Sequence, residues 1–124
     1  MRIERFEDIQ AWQEARELTK IIYALTKLPG FSKDFGLRDQ IQRAAVSIMA
    51  NIAEGFERKT TKEFRNFLSM ALASCSEVRS HLYVALDQTH IGQPEFDRAR
   101  TASEKTSRLI FGFMEYLQNC KQQT

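Results

Sequence analysis

Apolar residues recur at steps of three and four in four stretches of the chain, the spacing that lines one face of an α-helix. In the first stretch Ile9, Trp12, Leu18, Ile21, Ile22, Leu25 and Leu28 hold this register. Asp8 stands at the N-cap position, where a side-chain oxygen can take an orphan backbone N–H. Pro29-Gly30 ends the run, because proline disfavours α geometry in the residue before it. The second stretch sets Leu37, Ile41, Ala44, Ile48, Ile52 and Gly55 on one face. The third carries Phe64, Leu68, Ala71, Cys75, Val78, Leu82 and Ala85, a heptad seam of the kind that packs bundles. Thr60 and Glu63 precede it as the two ends of a capping box. The fourth opens at Pro94, a residue suited to the first helical turn. Its seam is Phe96, Ala99, Ser103, Thr106, Ile110, Phe113, Leu117 and Cys120. The spacing predicts helices over about 8–28, 36–57, 61–89 and 94–120. Short connections make neighbouring helices antiparallel. The expected fold is therefore all-α, an antiparallel up-down-up-down four-helix bundle in a single domain over residues 1–124.

Composition narrows the picture without redirecting it. A chain of 124 residues has room for one core. Its 43% hydrophobic content excludes a wholly disordered chain, and five glycines with two prolines are too few for the turns of an all-β fold. Eighteen basic against sixteen acidic residues leave a formal charge of +2, so local clustering must decide whether an anionic partner fits. Cys75 and Cys120 fall in apolar registers and read as buried free thiols in a reducing cytoplasm. Met1 to Asp8 lacks the apolar run of a signal peptide, and no stretch approaches a membrane span. A cytoplasmic protein with no membrane partner is expected.

Candidate chemistry concentrates on the second helix and the turn after it. A polar stripe there comprises Gln40, Arg43, Ser47, Asn51, Glu54 and Arg58. With Glu77 of the third helix it reads as a polar seam that sets helix register, Glu54 pairing with Arg58 and Arg43 reaching Glu77. A half-buried charge left unpaired would cost several kcal/mol. The competing reading is a groove for RNA or another ligand. On the opposite side lie Val46, Met49, Ala50 and Ala53, small and apolar, either core or a surface where a second copy packs. The run Arg58-Lys59-Thr60-Thr61-Lys62-Glu63-Phe64-Arg65 is a basic turn, either simply solvated or a phosphate contact made by Arg58, Lys59, Lys62 and Arg65. The phenylalanines read as core, except that Phe111 lies off its seam. Enzyme chemistry finds no foothold. His81 follows Glu77 at i+4, whereas di-iron bundles use Glu-x-x-His at i+3 in two helices. There is no glycine-rich phosphate loop and no nucleophile elbow. No catalytic residue, metal ligand or cofactor is expected.

The run from Leu37-Arg38-Asp39-Gln40-Ile41-Gln42-Arg43-Ala44-Ala45-Val46-Ser47-Ile48 to Asn51-Ile52-Ala53-Glu54-Gly55-Phe56-Glu57-Arg58 resembles the signature of the four-helix bundle family named after the 23S rRNA intervening-sequence proteins. Phe6 to Ala15 is similar to the opening of that family. Lys62-Glu63-Phe64, Phe67-Leu68, Ala71, Ser74 and Glu77 are similar to its third helix. The resemblance runs in register over about residues 6–90, and the fourth helix agrees in pattern. Met49 departs from it, since family members often carry proline there. Met49 keeps a backbone hydrogen bond that proline would remove, and so favours a straighter helix. The resemblance implies a bacterial protein that forms a homopentamer. Through the related accessory protein of diversity-generating retroelements, it also implies association with nucleic acid. It brings no catalytic residues. The expected function is a non-enzymatic homo-oligomeric bundle that serves as a nucleic-acid-associated accessory or scaffold. RNA or DNA is the partner, and Val46, Met49, Ala50 and Ala53 form the subunit interface. The alternative is a protein–protein adaptor that does not bind nucleic acid.

Overall fold

The computed structural model describes residues 3–123, and side chains as far as Cys120. Met1, Arg2 and Thr124 of the expected domain lie outside the described residues. A short 3-10 turn, Phe6–Asp8, leads into α1 (Gln10–Leu25). A five-residue helix, α2 (Pro29–Lys33), precedes α3 (Phe35–Phe56), α4 (Thr61–Asp87) and α5 (Gln93–Gln123). The four long helices pack in a closed ring, α1 against α3, α3 against α4, α4 against α5 and α5 against α1. This is the antiparallel four-helix bundle that the hydrophobic spacing predicts.

The core follows the spacing closely. Every position of the expected α4 seam, from Phe64 to Ala85, is buried. On α3 the buried face is Ile41, Ala44, Ala45, Ile48, Ile52 and Gly55. On α5 Phe96, Ala99, Ser103, Thr106 and Ile110 are buried, while Phe113 and Leu117 pack against the core from its edge. Both cysteines are free; Cys75 is buried, but Cys120, near the end of α5, is only half-buried. Burial pushes the Cys75 thiol up from its ordinary pKa.

The helix ends differ from expectation in informative ways. Asp8 does not cap α1; Ile9 holds that position. The Asp8 carboxylate instead accepts from the backbone N–H groups of Glu4 and Arg5, and so closes the 3-10 turn. The first helix stops at Leu25 rather than Leu28. Leu28 must be extended ahead of Pro29 (φ −62°, ψ 145°), so the last turn has to close earlier. Buried Thr26 takes the C-cap, donates to Tyr23 O and accepts from Gln42 Nε2 of α3. Pro29 then begins α2 instead of merely ending α1, its missing N–H being one that a helix start leaves unpaired anyway. Thr60 caps α4, its Oγ1 accepting from Glu63 N–H at 3.1 Å and donating to Glu63 Oε1 at 3.0 Å.

The α4–α5 connection is held from two directions. His90 N–H donates to Ala85 O and Thr89 N–H to Leu86 O, the paired bonds of a Schellman cap. Thr89, at the left-handed position with φ 59°, is β-branched and poorly suited to it. Replacing Thr89 with glycine should stabilise the protein by about 0.5–1 kcal/mol, the relieved strain exceeding the added freedom of the unfolded chain. A urea midpoint unchanged or lowered would show that Thr89 is not strained. The His90 ring stacks on Phe31 of α2, with centroids 5.5 Å apart. His90 Nε2 lies 3.0 Å from Asp34 Oδ2 at the α3 N-cap. That hydrogen bond, and then the one from Leu37 N–H, hold the Asp34 carboxyl below its ordinary pKa.

Candidate nucleic-acid and subunit interface

The polar stripe of α3 divides in two. Its inner half meets α4: Asn51 Nδ2 donates to Ser47 O and Ser47 Oγ, and Ser74 Oγ of α4 donates to Ser47 Oγ at 3.0 Å. This is a polar register contact between the two helices. Its outer half is not paired as expected. Among the described residues no ion pair joins Arg43 to Glu77, or Glu54 to Arg58. Arg43 is exposed, turned about 40° outward from Ser47, the residue that meets Ser74 of α4. Glu77 approaches His81 at 3.8 Å instead. Arg58 lies beyond the end of α3, out of i,i+4 geometry, and its guanidinium covers the Phe67 ring at 4.7 Å.

The small apolar patch also divides. Met49 is half-buried against the core and Ala53 is half-buried, while Ala50 is exposed and Val46 is 44% exposed. Val46 and Ala50 do not lie opposite the polar stripe. They share with Arg43, Ser47, Asn51 and Glu54 a shallow groove of about 680 Å³, bounded on the α1 side by Tyr23. The two residue sets expected on opposite sides thus form one surface, because at about 100° per residue Arg43, Ala50 and Glu54 fall within about 40° of one another.

The basic turn sits at the far end of α3. Lys59 and Lys62 are exposed. Arg65 is half-buried, and its Nε is buried without a hydrogen-bond partner. The Thr60 hydroxyl already takes the Glu63 N–H, so a phosphate at this helix start would meet the remaining N–H groups and the lysines. Behind the turn runs a chain of rings: Phe56 edge-on to Phe64 at 6.2 Å, Phe64 edge-on to Phe113 at 5.5 Å, and Phe113 stacked on Tyr116 at 5.9 Å. These phenylalanines pack inside, as expected, but Phe35 is 64% exposed and Phe111 55%, and Tyr116 at the end of the ring chain is 53% exposed. Spacing alone gives no sign of Tyr116, which lies off the apolar seam of α5.

A second polar layer escaped the sequence pattern. Arg79 of α4 donates to Ser107 Oγ of α5 at 3.0 Å, to Ser103 Oγ at 3.4 Å and to Ser76 Oγ at 3.1 Å. Ser103 in turn donates to Cys75 O. Single serines among charged residues carry no periodic signal, so this cluster is visible only in three dimensions. Among the described residues no three His, Cys, Asp or Glu side chains come together as a metal site would require. Among the same residues no helix is long and apolar enough to cross a membrane.

The profile of the 23S rRNA-intervening sequence protein family matches residues 7–112. A search of curated proteins finds no match. A crystal structure of a protein of unknown function from the S23 ribosomal protein family of Bacteroides thetaiotaomicron superposes with a TM-score of 0.77 at 23% identity. That likeness covers 84% of this chain and 97% of the other, and it speaks for the fold. With a profile match over most of its length and the matching bundle, the chain belongs to the 23S rRNA-intervening sequence protein family.

Proposed function

We propose that the protein is a self-associating helical bundle without an enzymatic step of its own, a cytoplasmic bacterial accessory or scaffold protein that binds nucleic acid. The observation that carries this reading is the α3 groove. Tyr23 and Val46 are exposed there beside Arg43 and Glu54, opposite charges with no ion-pair partner among the described residues. Apolar area ringed by unpaired charges of both signs is what a second copy can cover and match. The resemblance to pentameric relatives sets the expected number at five. A closed ring repeats the Arg58, Lys59, Lys62 and Arg65 cluster around its axis, so that weak phosphate contacts add through multivalency.

Light scattering on the purified protein, read with absorbance at 260 and 280 nm, tests both parts at once. A closed oligomer is expected, and Ala50→Glu should reduce it to monomers. Replacing Arg58, Lys59, Lys62 and Arg65 with glutamine should weaken binding of RNA or DNA. It should also make the slope of log affinity against log salt shallower, by about 0.7–0.9 for each phosphate no longer neutralised. A wild-type monomer, or no binding at low salt, overturns the reading. An adaptor role is the second reading, favoured by Met70, Tyr83 and Val84 exposed along α4. It predicts an oligomer that leaves nucleic acid in solution.

A further inference from the structure

Toward the bundle end that carries the basic turn, a pocket of about 440 Å³ opens between the start of α1 and the turns of α5 from Arg108 to Tyr116. Its volume falls in the range of small-molecule sites, roughly 300–1,000 Å³. Phe113 and Tyr116 both line it, stacked on each other at 5.9 Å and tilted by only 11°, and Tyr116, 53% exposed, is the outer ring of the pair. Phe113 is backed by the edge-on ring of Phe64 at 5.5 Å, so the stack is anchored in the core and leaves the outer face of Tyr116 for a further ring. The floor is open at Gly112, where an added Cβ would meet nothing within 4 Å, and a planar ring can approach the α5 backbone. Three polar residues line this apolar slot: Asp8, whose Oδ2 already accepts from the Glu4 and Arg5 N–H groups, and the exposed Gln10 and Arg108.

The chemistry of these groups is that of a base and its backbone. The exposed ring of Tyr116 offers stacking to any heterocycle. Gln10 can donate and accept along a base edge, and Asp8 keeps Oδ1, 3.9 Å from the Arg5 guanidinium, to accept from a ring or exocyclic N–H. Arg108 can take a phosphate. We propose that this pocket receives an unpaired base of a single-stranded nucleic acid, while the phosphates of the same strand run to Lys59 and Lys62. The α4 start, which bears Lys62, neighbours α5 at about one helix spacing, roughly 8–10 Å. A base locked in a duplex has both faces stacked and cannot enter, so the pocket selects for single strands. This inference rests on the nucleic-acid reading above and adds to it the form of the strand and the residue that recognises it.

The test compares a short oligouridylate, a short oligothymidylate and a blunt duplex of equal length by fluorescence anisotropy at low salt. Wild type should bind both single strands more tightly than the duplex. Tyr116→Ala should weaken single-strand binding about 5- to 150-fold, leave the duplex unchanged, and be rescued by Tyr116→Phe. Gly112→Leu, which fills the slot from an open helix face, should reproduce the loss without unfolding the protein. Equal binding of single strands by wild type and both variants, with the four-cation variant still defective, would sink the pocket and leave the nucleic-acid reading standing. Wild type that binds none of the three probes would overturn both.

Discussion

Phe31→Ala is expected to destabilise the protein by about 3–5 kcal/mol, the ordinary cost of deleting a buried phenyl ring and leaving its space unfilled. That is a large share of the roughly 5–15 kcal/mol that holds a domain together. Phe31 is fully buried although it belongs to a helix of only five residues. Such a helix has no stability of its own, since forming one turn fixes more dihedrals than it gains bonds. It is held because Phe31 inserts beneath the α4–α5 connection and stacks on His90. Removing the ring therefore opens a cavity and also releases the His90 stacking that ties this connection to Asp34. Phe35, four residues on, is the control. It is 64% exposed and touches Arg38 by its face, so Phe35→Ala should change stability by less than about 1 kcal/mol. Urea unfolding of both variants reads the difference. A Phe31→Ala cost as small as that of Phe35→Ala would mean α2 is not docked as described.

Gly55→Ala should destabilise by about 1–2 kcal/mol, even though alanine is the better helix former by about 1 kcal/mol. A Cβ at Gly55 would lie 2.7 Å from Phe64 Cδ1 and 2.8 Å from Phe67 Cβ. The first neighbour is a buried ring, and the second is bonded directly to the α4 backbone. Neither can swing away, so α3 and α4 must separate, and overpacking of that kind costs roughly 1–3 kcal/mol. The register contact through Ser47, Asn51 and Ser74 would loosen with them. Gly112→Ala makes the same chemical change on an exposed part of α5 with open space around it, and should stabilise by about 0.5–1 kcal/mol. Thermal melts of the two variants should therefore shift in opposite directions. A shift of the same sign for both would refute the close approach at Gly55.

The same residues show how far the one-dimensional pattern reaches. The α4 seam is legible in full, because each of its positions faces inward for a reason repeated every three or four residues. Gly55 is legible as a core position, but its role as the point of closest helix approach is not, since that depends on Phe64 and Phe67 from another helix. Pro29-Gly30 reads as a stop, and in the fold it is a start. Gly30 is small there because a Cβ would lie 3.1 Å from His90 Nδ1, a residue sixty positions away. The expected pairs Arg43–Glu77 and Glu54–Arg58 fail for two reasons, rotation about the α3 axis and the end of the helix before Arg58. Both are implied by the spacing itself, which sets the angle between Arg43 and Ser47 and ends the helix near residue 57; what it does not give is where α4 places Glu77.

Local periodicity along the chain settles how many long helices form and which face of each turns inward, because helix geometry and the burial of apolar surface act on neighbours three and four residues apart. Folding in three dimensions decides the rest. It docks α2 through Phe31, joins His90 to Asp34 across 56 positions, gathers Arg79 with serines of α5, and sets Tyr116 against Phe113 at the mouth of a pocket. Those contacts depend on distances between segments far apart in the chain, and a polar or aromatic side chain that occurs once leaves no period from which such a distance could be read.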